Sequence, residues 1–427
     1  MSLSASLRFD HELLAVEREH RVHCMLELVA PAAPEQAKRP DLHIALVLDR
    51  SGSMSGPKLE TAKACAGYLA RKIKPTDELS IVTYDGEVQL AFPRQQVGTA
   101  GAALEQVIAG IGPGGSTNLS GGWLKGIEQL RDVPGGSGSK TVLLLTDGLA
   151  NQGITDPEAL VKMARSASDE DGVRTTTIGF GSDFDEILLT RMAEAGVGNG
   201  YYAENPDEAA GIFAQEFEGL ASVIAQNLSV EIRPTDDVQL LGVLNQFPAV
   251  QVEGGIQVQL GDAYAQERRR IVFELHIPNV AALGVKTVAD VIVRYVSVEA
   301  TIEAHDLRLP VTVNMVSADE AGAAGPDADV VDEVTIMMSA HAKEEAREAA
   351  DRGDFDTARD KLRSAAGELR RIAPDSARAQ ELLEEANRSE EHASTMDATT
   401  YGLTERKRMR YESWQAQRGR RQPPRGK

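Results

Sequence analysis

The pattern of hydrophobic and polar positions changes three times along the chain. Up to about residue 38, apolar side chains such as Val22, Cys24 and Leu26 alternate with other residues, which is the period of a half-buried strand. The same alternation returns after residue 228 without helical stretches between the runs. The strands predicted there are Val250–Leu260, Ile271–Ile277, Val288–Val298 and Leu307–Val316.

Residues 39–227 follow a different pattern, in which short apolar runs alternate with amphipathic stretches. The predicted strands are Leu42–Leu48, Leu79–Tyr84, Glu87–Phe92, Thr141–Thr146, Thr175–Phe180 and Gly200–Ala203. The predicted helices are Pro57–Ile73, Gly101–Ile111, Leu119–Leu130, Pro157–Ser168, Phe184–Ala195 and Asp207–Gln226. This alternation predicts an α/β domain with a doubly wound, mostly parallel, six-stranded sheet.

Two details refine this architecture. Only Asp85-Gly86 separates the second and third strands of the α/β domain, which predicts a hairpin and one antiparallel edge strand. The β-patterned stretches 1–38 and 228–317 are expected to form one β-sandwich, with the α/β domain 39–227 inserted between them. In the last predicted helix of that domain, Phe213, Phe217, Leu220 and Ile224 stand at helical spacing and are expected in its core.

The rest of the chain has a third character. Residues 318–329 are rich in Ala, Gly, Asp and Pro and are predicted to be a linker. Residues 330–400 predict a helical hairpin of tetratricopeptide type, whose apolar face needs the body of the protein, another copy or a partner to cover it. Residues 401–427 form a basic tail, and its end, 422–427, is expected to be disordered.

Charge separates this tail from the rest. The 427-residue chain has a formal net charge of −20, yet the last 23 residues carry nine Lys and Arg against two Asp and Glu. The acidic remainder is expected to repel nucleic acid and anionic membranes. The tail could bind either, with Tyr411 and Trp414 stacking, but the charge balance favours a tail that folds back on the acidic body or docks an acidic partner.

Composition also bears on location. The N-terminus lacks the pattern of a secretory signal, and no stretch approaches the roughly 18 apolar residues of a membrane span. The two cysteines, Cys24 and Cys65, match no metal or redox spacing and are interpreted as small buried hydrophobes. A cytoplasmic protein is therefore expected.

The candidate chemistry lies at the ends of the predicted strands. Asp49, Ser51 and Ser53 follow the apolar run that ends at Leu48, Thr117 lies in a glycine-rich loop, and Asp147 follows the run that ends at Thr146. In a doubly wound sheet, ligands bind beyond the carboxyl ends of the strands. Five hard oxygen donors near that edge predict a divalent cation site.

These five positions, in their order and context, resemble the metal-ion-dependent adhesion site of the von Willebrand factor type A domain. The resemblance covers about residues 39–227. The flanking regions resemble bacterial intracellular members in which this domain interrupts a β-sandwich and is followed by helices. The resemblance to the von Willebrand factor type A domain implies that Ser51, Ser53 and sometimes Thr117 bind the ion directly. It also implies that Asp49 and Asp147 act largely through water. In this family the last helix of the domain can slide when the site is occupied.

The donor set agrees with that role. Two carboxylates and three neutral hydroxyls leave a bound Mg²⁺ with net positive character and an exchangeable water, which suits capture of an outside carboxylate. Mn²⁺ and Ca²⁺ are alternatives to Mg²⁺. Gly114-Gly115 is expected to let the Thr117 loop approach the ion. Arg50 and Lys58 are candidates for the rim of the site, whereas Lys125 is expected to be solvated.

No nucleophile or general base accompanies the five residues, so a binding role without catalysis is expected. The expected function is a metal-dependent protein-interaction module that captures an Asp or Glu of a partner. The resemblance implies a scaffold or signalling role beside AAA+ ATPases or kinase and phosphatase systems. Two alternatives are a metal-dependent phosphoesterase, which would need a site richer in carboxylates, and an extracellular adhesin, which would need an export signal.

Overall fold

The computed structural model describes residues 3–32, 41–99, 101–133, 138–181, 183–203, 205–298 and 302–418. The chain forms two compact units. One is built from Met1–Ala33, Ile224–Ser297 and Thr301–Lys427, and the other from Pro34–Val223 with Val298–Ala300. They are called here the discontinuous unit and the central unit.

The elements are numbered in chain order. The strands are β1 (Ser4–Phe9), β2 (Leu13–Ala15), β3 (His20–Val29), β4 (Leu42–Asp49), β5 (Glu78–Tyr84), β6 (Val88–Gln96), β7 (Ser139–Thr146), β8 (Val173–Phe180), β9 (Val197–Ala203), β10 (Val223–Pro234), β11 (Gln239–Val243), β12 (Ala249–Val252), β13 (Gly255–Tyr264), β14 (Arg268–Ile277), β15 (Gly284–Val298) and β16 (Ile302–Val316). The α-helices are α1 (Pro57–Lys72), α2 (Gly101–Gly110), α3 (Leu119–Arg131), α4 (Pro157–Asp171), α5 (Glu186–Ala195), α6 (Pro206–Ala221), α7 (Ala318–Ala323), α8 (Ala328–Asp351), α9 (Phe355–Ile372), α10 (Ala379–Ser394) and α11 (Leu403–Gln417).

The central unit contains a six-stranded sheet in the order β6-β5-β4-β7-β8-β9. Every neighbouring pair is parallel except β5 and β6, which form the predicted antiparallel hairpin at the edge. Strand β4 is buried along its whole length, because helices cover both faces of the sheet. The predicted mostly parallel α/β sheet is confirmed.

Helices α1, α2 and α6 cover one face of this sheet, and α3, α4 and α5 cover the other. Helix α3 packs closely on β4 and β5 because two of its positions are glycines. A Cβ at Gly126 would lie 2.6 Å from Val47, and a Cβ at Gly122 would lie 2.3 Å from the Tyr84 ring. This close packing fixes the start of α3, and with it the loop that carries Thr117.

The discontinuous unit contains two further sheets, ordered β1-β3-β14-β11 and β12-β13-β10-β15-β16-β2. Their facing side chains form one apolar core, to which strands from both ends of the predicted sandwich contribute, among them Leu26, Val230 and Phe273. The outer face of the four-stranded sheet is apolar as well, since Met25 and Val272 pack against Val330 and Met337 of α8. The helical region therefore covers this sheet and is part of the same unit.

Several boundaries differ from the sequence predictions. Helix α6 ends at Ala221, so Ile224 lies in β10 and packs on the sandwich core, while Phe213, Phe217 and Leu220 lie in the core of the central unit. The predicted strand Val250–Leu260 is a hairpin of β12 and β13, since Gly254 has a φ of 77° and reverses the chain. The predicted linker 318–329 begins as a helix instead, because Ser317 and Glu320 form a capping box at the start of α7.

For the basic tail, the structure favours one of the two predicted roles. Most of its described part is helix α11, in which Tyr411 and Trp414 are buried instead of free to stack on bases. Its cations pair with acidic residues of α8 and α10, as in Arg410 with Glu344 (3.2 Å) and Arg408 with Glu391 (3.0 Å). The interpretation that this segment folds back on the acidic body is confirmed for 403–417, and the predicted disorder of 422–427 lies outside the described residues. None of the described helices is long and apolar enough to cross a bilayer.

Candidate metal centre

The predicted donors lie at the carboxyl edge of the central sheet. Asp49 is the last residue of β4, and Asp147 directly follows β7, its parallel neighbour. On the other side of β4, Tyr84 ends β5 opposite Asp49. Because the three strands are parallel, their ends converge, and this is the edge at which α/β sheets bind ligands.

The turn after β4 connects the two carboxylates through hydroxyl groups. The Ser51 N–H donates to Asp49 Oδ1 at 2.8 Å, which folds the turn back on the carboxylate. The hydroxyls of Ser51 and Ser53 lie 3.2 Å apart, and the Ser53 hydroxyl donates to Asp147 Oδ1 at 2.7 Å. Four of the five predicted residues therefore form one continuous polar chain.

Thr117 reaches the same place from the loop before α3. A Cβ added at Gly148 would lie 3.3 Å from Thr117 Oγ1 and 3.7 Å from Asp49 Oδ2. The hydroxyl and the carboxylate therefore flank a small space that is open because residue 148 has no side chain. The structure brings all five predicted residues together, although their role as metal ligands stays a prediction.

The Thr117 loop is held by main-chain hydrogen bonds to the turn after β4. The Gly52 N–H donates to the Gly115 carbonyl at 2.8 Å, and the Gly114 N–H donates to the Arg50 carbonyl at 2.6 Å. Asp85 accepts from the Gly115 N–H at 3.0 Å and forms an ion pair with Arg50 at 3.1 Å. A Cβ at Gly114 would overlap the Asp85 carboxylate, at 1.8 Å, so glycine is required at this close approach.

Burial makes the two negatively charged carboxylates of the site unfavourable in free energy unless a cation lies nearby. Asp49 and Asp147 are both fully buried. Burial raises the pKa of Asp49, the hydrogen bonds from Ser51 and Thr146 oppose that shift, and the Asp147 charge adds to it. Lys58 donates to Asp147 Oδ2 and supplies a nearby positive charge. A cation placed between these two carboxylates would be attracted by both.

Sequence reasoning missed two residues that shape the site, Thr146 and Asp85, and predicted a third, Lys58, only as a residue of its rim. Thr146 donates its hydroxyl to Asp49 Oδ2 at 2.6 Å and fixes that carboxylate. Asp85 holds the Thr117 loop, and Lys58 contacts Asp147 directly instead of lying at the rim. Asp85 and Thr146 lie at or just beyond the ends of β5 and β7, so the strand-end argument could have found both. Lys125, in contrast, pairs with exposed Glu128 on the surface, as expected of a solvated lysine.

The donor chemistry fits a divalent cation. Two carboxylates and three hydroxyls are hard oxygen ligands of the kind that Mg²⁺, Mn²⁺ and Ca²⁺ bind, and Mg²⁺ retains waters when protein ligands are few. No cluster of three or more His, Cys, Asp or Glu side chains suited to a metal occurs among the described residues. Any ion bound here would therefore meet a site rich in hydroxyls and poor in charge.

Comparison with known proteins agrees with this fold. Residues 43–216 match the family model of the von Willebrand factor type A domain. The solved structure of a von Willebrand factor type A protein from Catenulispora acidiphila superposes with a TM-score of 0.72 at 17% identity, covering 96% of each chain. At that identity the likeness shows a shared fold.

Two curated relatives extend the comparison. An uncharacterized protein of Synechocystis is 30% identical over 276 residues, which cover 62% of this chain and 64% of that protein. The uncharacterized protein YfbK of Escherichia coli is 28% identical over 242 residues, 55% of this chain and 42% of that protein. The chain thus spans less than two thirds of the length of both relatives.

The matched residues 43–216 contain all five site residues and the whole six-stranded sheet except its first residue, Leu42. Domains of this family are generally protein-interaction modules and often bind a divalent metal. Residues 43–216 of the chain therefore match the von Willebrand factor type A domain, and the structure adds further β-sheets and a helical C-terminal region to it.

Proposed function

We propose that this chain is a divalent-cation-dependent protein-interaction module whose central unit captures an Asp or Glu side chain of a partner. The observation that supports it most is the convergence of Asp49, Ser51, Ser53, Thr117 and Asp147 at one edge of the sheet. Mg²⁺ is the proposed ion, with Mn²⁺ and Ca²⁺ as substitutes. These five residues would hold it, and the bound ion would supply a positive, exchangeable coordination position.

The partner carboxylate is favoured by simple charge balance. Asp49 and Asp147 balance the charge of a divalent ion only formally. Both carboxylates also accept hydrogen bonds from hydroxyl groups, so part of their negative charge is already engaged and the ion stays partly positive. A further carboxylate is therefore attracted to the ion without having to displace a protein ligand. Recognition by charge and coordination needs no group that breaks a bond, so we propose binding without turnover.

The surface beside the site suits contact with a protein. Leu149 and Ile154, in the loop that follows Asp147, are 49% and 36% exposed. Apolar side chains in water next to a charged site are typical of surfaces that a partner covers. We place this interaction in the cytoplasm, as part of a scaffold or signalling assembly driven by an AAA+ ATPase or by kinase and phosphatase enzymes.

A peptide array tests this function. Labelled protein is applied to peptides that contain Asp or Glu and to copies in which these are Asn or Gln, with Mg²⁺ or with EDTA. We expect binding that requires both the acidic residue and the metal. Asp49→Ala should abolish it, and Asp169→Ala, which removes an exposed carboxylate on α4, should not. Circular dichroism checks that both variants are folded, and binding that persists in EDTA would refute the proposal.

A further inference from the structure

Lys58 occupies an unusual position for a lysine. It is the second residue of α1, after Pro57, and its ammonium group donates to Oδ2 of the buried Asp147. A cation in the first turn of a helix faces the positive end of the helix dipole, which disfavours it. Asp147 offsets this local cost, so the position of Lys58 depends on the carboxylate of the candidate metal site.

With the contact from Lys58, each carboxylate oxygen of Asp147 accepts a hydrogen bond. One carboxylate oxygen accepts from the Ser53 hydroxyl and the other from Lys58, so both oxygens are engaged. A divalent ion held by these residues would stand beside the same carboxylate. Two cations that contact the same buried carboxylate repel each other strongly. The ammonium group and the ion therefore compete for Asp147.

We propose that Lys58 is a built-in competitor of the divalent ion: its ammonium group neutralises Asp147 when the ion is absent and is displaced when the ion binds. This inference rests on the proposed function and adds a regulatory element to the same site. It makes the affinity for the ion lower than the five oxygen donors alone would give.

The surroundings of Lys58 allow this exchange. Its side chain is 29% exposed, whereas that of Asp147 is completely buried, so the lysine has a path to solvent that the carboxylate lacks. Gly181 lies beside the end of the Lys58 side chain without a side chain of its own, since a Cβ there would be 3.5 Å from both Cε and Nζ of Lys58. The flexible stem of lysine then permits the ammonium group to leave while α1 stays in place.

Isothermal titration of the full chain with Mg²⁺ and with Mn²⁺ tests the proposal. Lys58→Met should bind both ions about tenfold more tightly or better, because a competing positive charge is removed. Lys58→Arg keeps the charge and should bind close to wild type. Lys125→Met is the matched control, since it removes one lysine of the same unit that pairs with exposed Glu128 at the surface.

Thermal unfolding supplies a second readout that does not depend on a partner. In EDTA, Lys58→Met should unfold at a lower temperature than wild type, because Asp147 loses its counter-charge, and Mg²⁺ should restore more stability to the variant than to wild type. Equal or weaker ion binding by Lys58→Met, with measurable binding by wild type, would overturn this inference alone. Absence of ion binding in both proteins would overturn the proposed function as well.

Discussion

Two regions of the molecule bury several charged groups, and they do so in opposite ways. In the helical region, Lys343 of α8 bonds Glu385 at 2.7 Å and Glu412 at 3.2 Å, and His392 bonds Glu405 at 2.5 Å and Glu412 at 2.9 Å. At the candidate metal centre, two buried carboxylates share one lysine and several hydroxyls. Every carboxylate of the first cluster pairs with a cationic group, whereas Asp49 in the second is hydrogen-bonded by a hydroxyl and a main-chain N–H.

This difference distinguishes a structural charge cluster from a binding site. Buried charged groups that are paired with each other hold the helices together and leave no unpaired charge for a ligand. Buried carboxylates that are hydrogen-bonded mainly by neutral groups keep an attraction for an external cation. The same residue types thus hold α11 in place in one unit and form a candidate binding site in the other.

Removing the central cation of the helical cluster is expected to have the largest effect. Lys343→Met leaves Glu385 and Glu412 buried without that ammonium group, which should lower the free energy of unfolding by about 3 kcal/mol. Urea denaturation measures it. Lys361→Met, which removes an exposed pair with Glu345, should cost less than about 1 kcal/mol. Equal losses of unfolding free energy in the two variants would show that the buried cluster stabilises the fold no more than an exposed ion pair does.

A smaller effect is expected from the hydroxyl that orients Asp49. Thr146→Val removes the donor to Asp49 Oδ2 and should weaken Mg²⁺ binding by about tenfold, the usual loss when a group that orients a metal ligand is removed. Titration calorimetry measures the affinity. Thr141→Val, in the same strand and equally buried, is the control. An unchanged affinity in Thr146→Val would show that this hydroxyl does not orient Asp49 for the ion.

The smallest effect concerns pH. Burial lowers the pKa of His392, but the hydrogen bonds to Glu405 and Glu412 raise it by more than burial lowers it. The net shift of the pKa is therefore upward from the usual 6.5. Stability from the charged imidazole is therefore complete below pH 6.5 and is lost as the pH rises through the raised pKa. Denaturation between pH 6 and 9 should show this loss in wild type and a flatter profile in His392→Gln. Parallel profiles would count against a charged His392.

The central sheet and the position of the five candidate residues at its carboxyl edge could be predicted from the sequence because both depend on local patterns. The apolar run Leu42–Leu48 predicts a buried strand, and an oxygen ligand directly after a parallel strand must lie at its carboxyl edge. The same logic extends to Asp147 after β7. Here the order of elements along the chain determines the spatial result, so periodicity and topology suffice.

The missed features depend on partners that are distant in sequence. The charge of the tail predicted contact with acidic residues, but it did not identify the partners, such as Glu344, which pairs with Arg410, 66 residues away. Ile224 continues the apolar spacing of α6, but the chain enters β10 because pairing with β15 is available there. Lys58 meets Asp147 only after folding. Such long-range electrostatic and strand pairing leaves no periodic signal in the sequence.

The most direct test of the central claim is a crystal structure of the protein soaked with Mn²⁺, with anomalous diffraction recorded at the manganese edge. We expect one strong anomalous peak in the central unit, enclosed by oxygens of Asp49, Ser51, Ser53, Thr117 and Asp147, and we expect it to be lost in Asp49→Ala. A map with no peak at this edge of the sheet, or with the manganese bound elsewhere, would contradict it.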